Sequence, residues 1–413
     1  MTLLTIFVVA VFVVSLVSHR LEGSVLTKPI VFTAAGALSA LAPAASLELV
    51  LDREAFLRIA ELGLVMLLFT DATRIGLRQL AHDESLPLRL LSSGMLLSIA
   101  LGAVCAMVFF GELGWLEAGI LAAILAPTDA GLGQVIVESP HVPPRIRQAL
   151  NVEAGLNDGL AVPFLMFFIA LAASAQDSAD FGARLGWLLF EQLGLGAAVG
   201  LGIGLAGGWL LGQAQRRNWM AAPMTQLGVV ALPLLCLMAA HASTASAFIA
   251  AFVAGLATQV GFRTVGRHSV EFTHDWGQLL NCFVFFLFGL LAARAWHELS
   301  PLIWLYALAS LTLVRMLPVA VALRGTGLGR ASVLFVGWFG PRGLASIVLG
   351  LVYLEQQAEL PGEQTIRLAV IATVLLSIVA HGLSARPFIA WYARAVAALP
   401  PDAPERRSGD TAG

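Results

Sequence analysis

Long runs of apolar residues, each bounded by charged residues, proline or a polar cluster, follow one another along almost the whole chain. An α-helix needs roughly 20 apolar residues to cross the bilayer core, which is about 30 Å thick. The runs therefore predict membrane-spanning helices in a single transmembrane domain over residues 1–397. We place thirteen spans, at residues 2–18, 25–43, 57–73, 90–110, 114–137, 149–173, 187–212, 224–241, 244–261, 272–293, 301–323, 331–354 and 366–393. Residues 398–413 are rich in proline and charge, and we expect a short disordered cytoplasmic tail there.

The composition agrees with a location in the lipid bilayer. Of the 413 residues, 58% are hydrophobic and 12% are charged, whereas a soluble globular domain carries roughly 25% charged residues. The net charge of −2 offers no basic surface for nucleic acid. Cys105, Cys236 and Cys282 lie inside apolar runs, so we expect small buried side chains there and neither disulfides nor metal ligands.

The loops predict an orientation. Most arginine and lysine residues fall on the side reached after the odd-numbered spans or in the C-terminal segment, and few fall on the opposite side. Because basic loops stay on the cytoplasmic side, the N-terminus is predicted outside and the C-terminus in the cytoplasm, in the inner (plasma) membrane.

A few ionisable residues lie inside the predicted spans, where a charge costs about 2.5–3.5 kcal/mol. Asp129 lies in span five, Glu153 and Asp158 lie in span six, and Arg315 and Arg342 lie in spans eleven and twelve. Three carboxylates exceed two arginines, so at least one carboxylate is expected to act as a titrating ion site. The alternative is an inert hydrogen-bond network that holds the helices together.

Other ionisable residues in the spans have simpler interpretations. Glu61 and Glu191 lie towards span ends and have no assigned role. His381 lies within span thirteen, where a structural hydrogen bond is the simpler interpretation and pH sensing is the alternative.

Two spans are interrupted near the middle. Pro127 precedes Thr128-Asp129 in span five, and Gly340-Pro341-Arg342-Gly343 interrupts span twelve. A proline frees backbone carbonyls, which in a membrane need other partners. The interrupted spans are seven apart, so the chain divides into two six-helix halves, 1–173 and 224–393, joined by a linker helix at 187–212. Such halves form an inverted repeat, and matching interruptions indicate a transport site near the membrane midplane.

These motifs resemble those of the cation–proton antiporter family, in the NhaP-like branch of sodium/proton exchangers with an Asn-Asp pair. The matching segments are Pro-Thr-Asp at 127–129, Glu-x-x-x-Asn-Asp-Gly at 153–159, Arg315, and Gly-Pro-Arg-Gly at 340–343. The resemblance implies an all-helical antiporter fold that exchanges a monovalent cation for H⁺, with Na⁺ first and Li⁺ or K⁺ as alternatives. It also implies a homodimer with a role in pH homeostasis, without a cofactor and without enzymatic catalysis.

The resemblance also implies roles for individual residues. Asp158 would alternately bind the proton and the transported cation, with Asp129 as a second ligand of Na⁺ or K⁺. Asn157 and Thr128 would complete the site, and Asp71 from span three is a further contributor.

Glu153 is implied to be the acidic half of a structural ion pair, with Arg315 as its partner and Arg342 as the second candidate. The sequence departs from the family at Ala154, where the family commonly has Ser, and this bears on the choice between Na⁺ and K⁺.

The Asn-Asp pair has one fewer titratable group than an Asp-Asp pair, and in this family it is associated with electroneutral one-for-one exchange. The main alternative is a sodium-coupled symporter of an organic solute on a related fold. A channel would need repeated filter-like segments, and an intramembrane aspartyl protease would place its aspartates in different motifs.

Overall fold

The structure, a computed structural model, describes residues 2–22, 26–41, 53–74, 85–174, 187, 190–243, 245–262, 268–355, 360–400 and 403–406. The regular secondary structure of these residues is entirely helical and forms thirteen consecutive segments. In order they are α1 (Thr2–Glu22), α2 (Lys28–Ser39), α3 (Arg53–Arg74), α4 (Ser85–Arg89, Leu90–Gly94 and Met95–Phe109), α5a (Trp115–Ile124) with α5b (Ala130–Val137), α6 (Pro144–Ser174), α7 (Phe190–Leu195 and Gly196–Arg216), α8 (Ala222–Ser243), α9 (Ala247–Gly261), α10 (His268–Ala295), α11 (Pro301–Leu311 and Leu313–Ala322), α12a (Arg330–Trp338) with α12b (Leu344–Glu355), and α13 (Glu363–Ala397).

The segments correspond one by one to the predicted spans, and α5 and α12 are each divided into two short helices at the predicted interruptions. Within the described residues, seven helices are long and apolar enough to cross a membrane by length and composition. The half-helices α5a and α12b are among the shorter apolar helices. Each half-helix is too short to cross alone, and the two halves of a broken span are needed together.

The helices pack in two sets. The first set contains α2, α3, α7, α8, α9 and α10, with α1 against α2. The second set, called the bundle below, contains α4, α5, α6, α11, α12 and α13. The sets meet where α3, α9 and α10 contact α6, α12b and α13.

Small residues allow the first set to pack closely. A Cβ atom at Gly200, Gly204 or Gly208 of α7 would collide with the backbone of Ala250, Ala254 or Thr258 in α9. Close backbone approach of this kind is a common way for helices to associate in lipid, where apolar side chains gain little by leaving the solvent.

Helix ends differ from the predicted spans by a few residues. The sixth helix begins at Pro144 instead of residue 149, because proline suits the first turn of a helix. The last helix extends over Glu363–Ala397 instead of 366–393. Polar residues continue these helices beyond the apolar runs on which the prediction depended.

Four residues of the predicted tail make defined contacts. Residues 403–406 lie against the beginning of α12a, where Glu405 Oε1 accepts hydrogen bonds from Gly329 N at 2.7 Å and from Ser332 Oγ at 2.8 Å. The first amides of a helix lack partners within the helix and favour a carboxylate, which explains this placement.

Several of the basic residues that predict the orientation lie outside the described residues, namely Arg78, Arg184, Arg263, Arg267 and Arg407. Tail residues 401–402 and 407–413 also lie outside them.

Candidate functional site

The break in α5 exposes two carbonyl groups, which a buried arginine binds. Between α5a and α5b the chain is extended around Pro127, which has no amide hydrogen to donate. Arg342, from the break in α12, donates through Nη1 to Ala126 O at 2.6 Å and to Pro127 O at 2.8 Å. With 1% of its surface exposed, Arg342 replaces the water that such carbonyls would otherwise need.

Asp129 connects the second halves of both broken helices. It is the N-cap of α5b, where its Oδ1 accepts a hydrogen bond from Leu132 N at 2.9 Å. Its Oδ2 accepts from Leu344 N, the first residue of α12b, at 2.6 Å. Its own amide donates to Pro341 O at 2.7 Å. The positive ends of two helix dipoles therefore stabilise one carboxylate.

Glycines in the α12 break make room for these groups. A Cβ atom at Gly343 would collide with the Asp129 carboxylate, and one at Gly340 would collide with the Arg315 guanidinium group. The two glycines of the Gly-Pro-Arg-Gly motif thus let Asp129 and Arg315 lie against the backbone of the break, and its arginine supplies a cation.

Glu153 of α6 and Arg315 of α11 form a buried bidentate ion pair. Arg315 Nη1 lies 2.5 Å from Glu153 Oε1, and Nη2 lies 2.9 Å from Oε2. Both side chains are under 5% exposed. Arg342, the second candidate partner, instead binds the carbonyl groups of α5. The charge of Glu153 is neutralised within the bundle.

The Asn157-Asp158 pair has two side-chain oxygen atoms without hydrogen-bond partners in the part of the chain that the structure describes. Asn157 Nδ2 donates to Thr128 Oγ1 at 2.7 Å, which joins α6 to the α5 break. Asn157 Oδ1 and Asp158 Oδ1 are both buried and have no hydrogen-bond partner among the described residues. Such oxygens are costly in a membrane unless a ligand binds them.

Asp71 brings a third carboxylate to this place from the other helix set. A Cβ atom at Gly155 of α6 would lie 3.6 Å from Asp71 Cβ, so α3 approaches α6 closely at this level. The charges of Asp129 and Asp71 both act on Asp158. Carboxylates from the bundle and from the first set therefore meet across the boundary between the sets.

A small cavity of about 20 Å³ lies beside the α5 break. Its polar lining comes from Thr128, Asp129 and Asn151, and Ala154 faces it as well. Without a serine hydroxyl at residue 154, the polar side chains of this otherwise apolar lining are those of Thr128, Asp129 and Asn151.

The structure thus brings together Asp158, Asp129, Asn157, Thr128 and Asp71. Two other acidic residues of the predicted spans, Glu61 and Glu191, have partners of their own. Glu61 pairs with His241 Nε2 at 3.0 Å, and Glu191 accepts a hydrogen bond from Trp187 Nε1 at 2.8 Å.

Sequence reasoning missed Ser377 of α13, whose hydroxyl accepts a hydrogen bond from the Arg342 amide at 2.6 Å. The signal for it was the spacing of Ser377 and His381, two polar residues four apart in the otherwise apolar stretch 374–383. The roles of the Leu344 amide and the Pro341 carbonyl have no side-chain signature at all.

Two broken helices that cross near buried carboxylates are typical of secondary transporters of the membrane. The chain belongs to the sodium/hydrogen exchanger family, because the family profile described as "Sodium/hydrogen exchanger, transmembrane" matches residues 6–391. It is therefore a multi-pass membrane protein of a cation/proton exchanger family, a family of transporters.

Curated relatives have more specific names. The chain is 27% identical over 335 residues to the K(+)/H(+) antiporter NhaP2 of Shewanella baltica (strain OS223), covering 79% of this chain and 56% of that protein. It is 26% identical over 406 residues to the K(+)/H(+) antiporter NhaP of Alkalimonas amylolytica, covering 94% and 67%. It is 27% identical over 322 residues to a Na(+)/H(+) antiporter of Schizosaccharomyces pombe, covering 69% and 67%. The chain spans little more than half the length of the NhaP2 protein.

Among solved structures, the fold is similar to the sodium proton antiporter MjNhaP1 from Methanocaldococcus jannaschii at pH 8. The TM-score is 0.73 at 18% sequence identity, over 95% of this chain and 98% of the other. This likeness confirms the predicted fold class, an all-helical antiporter fold with broken crossing helices.

Proposed function

We propose that the protein is a secondary antiporter that exchanges a monovalent cation for H⁺ by competition at Asp158. The observation that carries the proposal is the buried Asp158 Oδ1, which has no hydrogen-bond partner among the described residues. The other acids of the bundle interior are engaged: Glu153 pairs with Arg315, and Asp129 caps two half-helices. Asp158 is therefore the carboxylate best placed to exchange ligands.

A proton and a hard cation can occupy this place only in turn. Hard cations favour oxygen ligands, and Asp158 Oδ1 and Asn157 Oδ1 supply two. Asp129 and Thr128 border the same place from the α5 break, and Asp71 borders it from α3. A proton on Asp158 removes the charge that attracts the cation, and a bound cation excludes the proton.

The packing supports a simple transport movement. Helices α5, α6, α12 and α13 carry the site within one helix set, and α3 contributes Asp71 from the other. We infer that the bundle rocks against the first set, which exposes Asp158 alternately to the two sides of the membrane.

We propose Na⁺ as the main substrate, with Li⁺ and K⁺ as alternatives, and electroneutral one-for-one exchange. The single titratable group of the Asn-Asp pair supports that stoichiometry. We also infer a homodimer in the plasma membrane with the N-terminus outside, acting in pH homeostasis. Family membership favours antiport over the sodium-coupled symporter that the sequence left as an alternative.

The test uses purified protein in proteoliposomes that contain a pH-sensitive dye. Pulses of NaCl, LiCl or KCl should each be compared with choline chloride, and a dye response to at least one cation without any organic solute is expected. An imposed membrane potential should leave the rate unchanged at fixed gradients. A response that requires an organic solute would overturn antiport, and a potential-dependent rate would overturn electroneutrality alone.

A further inference from the structure

Helix α13 reaches the break in α12 with two polar side chains. Ser377 and His381 are four residues apart, so they lie on the same face of the helix. Ser377 is fully buried and His381 is 2% exposed. In an apolar environment, buried polar groups of this kind persist where they satisfy each other or the backbone.

The two side chains bind the two ends of the break. His381 Nε2 lies 2.9 Å from Trp338 O, the last residue of α12a. A carbonyl oxygen only accepts, so Nε2 must carry a hydrogen. Ser377 Oγ accepts from Arg342 N at 2.6 Å and lies 3.1 Å from His381 Nδ1. Nδ1 also lies 3.0 Å from the Ser377 carbonyl oxygen. In the neutral ring with its hydrogen on Nε2, Nδ1 accepts from the Ser377 hydroxyl and makes no hydrogen bond to that carbonyl. A continuous chain of hydrogen bonds thus runs from Arg342 N to Trp338 O.

This chain of bonds fixes groups that in turn hold the ion site. Arg342 is anchored by its amide on Ser377 while its guanidinium group binds Ala126 O and Pro127 O. The residue before it, Pro341, accepts the Asp129 amide hydrogen. A shift of the α12 break would therefore move the α5 break and the Asp129 carboxylate together.

We infer that Ser377 and His381 are positioning residues for the exchange site, acting through Arg342 and Pro341 without touching the cation. This inference rests on the proposed antiport. It assigns to His381 the fixed, uncharged hydrogen-bonding role in preference to pH sensing. The simple structural alternative is that both residues only fill the break and stabilise the fold.

The test compares Ser377→Ala, His381→Ala and His381→Gln in proteoliposomes. Two control variants come from the same helix. Thr373→Val removes a buried hydroxyl that binds only Ala369 O of its own helix, at 2.7 Å. Ser384→Ala removes the partner of the Trp338 indole, at 2.9 Å, and leaves the backbone of the break untouched.

For Ser377→Ala and His381→Ala we expect the apparent KM for the cation to rise about three- to tenfold, which corresponds to one lost hydrogen bond. The maximal rate should change less than KM. His381→Gln should restore most of the affinity and keep the wild-type pH profile, because its amide can donate to Trp338 O and accept from Ser377. Both controls should behave as wild type.

A second measurement does not depend on transport. Hydrogen–deuterium exchange should become faster in segments 126–132 and 338–345 of His381→Ala and Ser377→Ala, and stay unchanged in both controls. Unchanged hydrogen–deuterium exchange in these segments would overturn the inference, whether or not the wild type is an antiporter. An unchanged KM would overturn it if the wild type is an antiporter. If the wild type shows no antiport but hydrogen–deuterium exchange is faster in the two variants, the proposed function is overturned. The role of Ser377 and His381 in positioning the two breaks is then retained. A flattened pH profile in His381→Gln would overturn the uncharged role.

Discussion

Asp129 and Asp158 are two aspartates of one site with opposite surroundings. Both oxygens of Asp129 accept backbone hydrogen bonds, from Leu132 and Leu344. Asp158 retains a buried oxygen without a partner among the described residues. Asp129 is thus a part of the scaffold as much as of the site, whereas Asp158 can take a ligand without breaking the fold. The same type of side chain has a structural role at Asp129 and, in the proposed mechanism, binds the exchanged ligands at Asp158. The hydrogen bonds that each carboxylate makes decide between these roles.

The largest expected effect separates the two aspartates directly. Asp158→Asn should abolish cation-dependent proton movement, because an amide cannot take up and release a proton in the working pH range. Its thermal unfolding midpoint should remain near that of the wild type, since no described hydrogen bond to Oδ1 is lost. Dye assays in proteoliposomes and thermal unfolding in detergent measure both properties. Residual cation-dependent proton movement would place the exchanging group elsewhere.

Glu153 extends the comparison to an acid whose charge is fully paired. Glu153→Gln leaves Arg315 as an unpaired buried cation, and the free energy of unfolding should fall by about 3–5 kcal/mol. The double variant with Arg315→Met should recover part of this loss, since no buried charge then lacks its partner. The surface variant Glu138→Gln is the control. A Glu153→Gln protein as stable as the wild type would show that the ion pair contributes little.

Asp129→Asn should affect both stability and exchange. The amide nitrogen cannot accept, so either Leu132 N or Leu344 N loses its partner, at a cost of about 1–3 kcal/mol. The exchange rate should fall together with the unfolding midpoint. Asp158→Asn is the matched control, identical in chemistry and expected to lose exchange alone. Equal stability of the two variants would remove the distinction between the aspartates.

The smallest expected effect concerns Ala154, which faces the cavity beside Asp129. Ala154→Ser adds one neutral oxygen, and we expect a change of a few-fold in the apparent cation KM, as one hydrogen bond contributes roughly 1 kcal/mol. A series of NaCl, LiCl and KCl titrations would measure it. Ala172→Ser, about four turns from Asp158 on α6, should leave the order of the cations unchanged. The same shift in both variants would exclude a local role for residue 154.

The sequence predicts the helices well because lipid imposes their length and apolar character. Pro127 and the Gly340–Gly343 motif also reveal both breaks, since proline and glycine act locally. The sequence does not reveal which groups form hydrogen bonds with the backbone carbonyls that the breaks leave free. Arg342 could have paired with Glu153, and only the three-dimensional arrangement assigns it to two carbonyl groups instead.

Contacts made by the backbone are equally hidden from the sequence. Nothing in the residue type of Leu344 indicates that its amide binds a carboxylate. The same holds for Glu405, which looks like one more charge in a polar tail but lies buried at the beginning of α12a.

Groups of the α12 break form hydrogen bonds with groups of the α5 break, and this has a consequence for biosynthesis. Arg342 is separated from Ala126 by 216 residues, and Asp129 is separated from Leu344 by 215. When α5 enters the membrane during synthesis, the groups that satisfy its break have not yet been made. The ion site must therefore be among the last parts of the protein to assemble, after both halves have been inserted. Until then the nascent first half carries its unsatisfied carbonyls and carboxylate in the insertion machinery, in water or against other proteins.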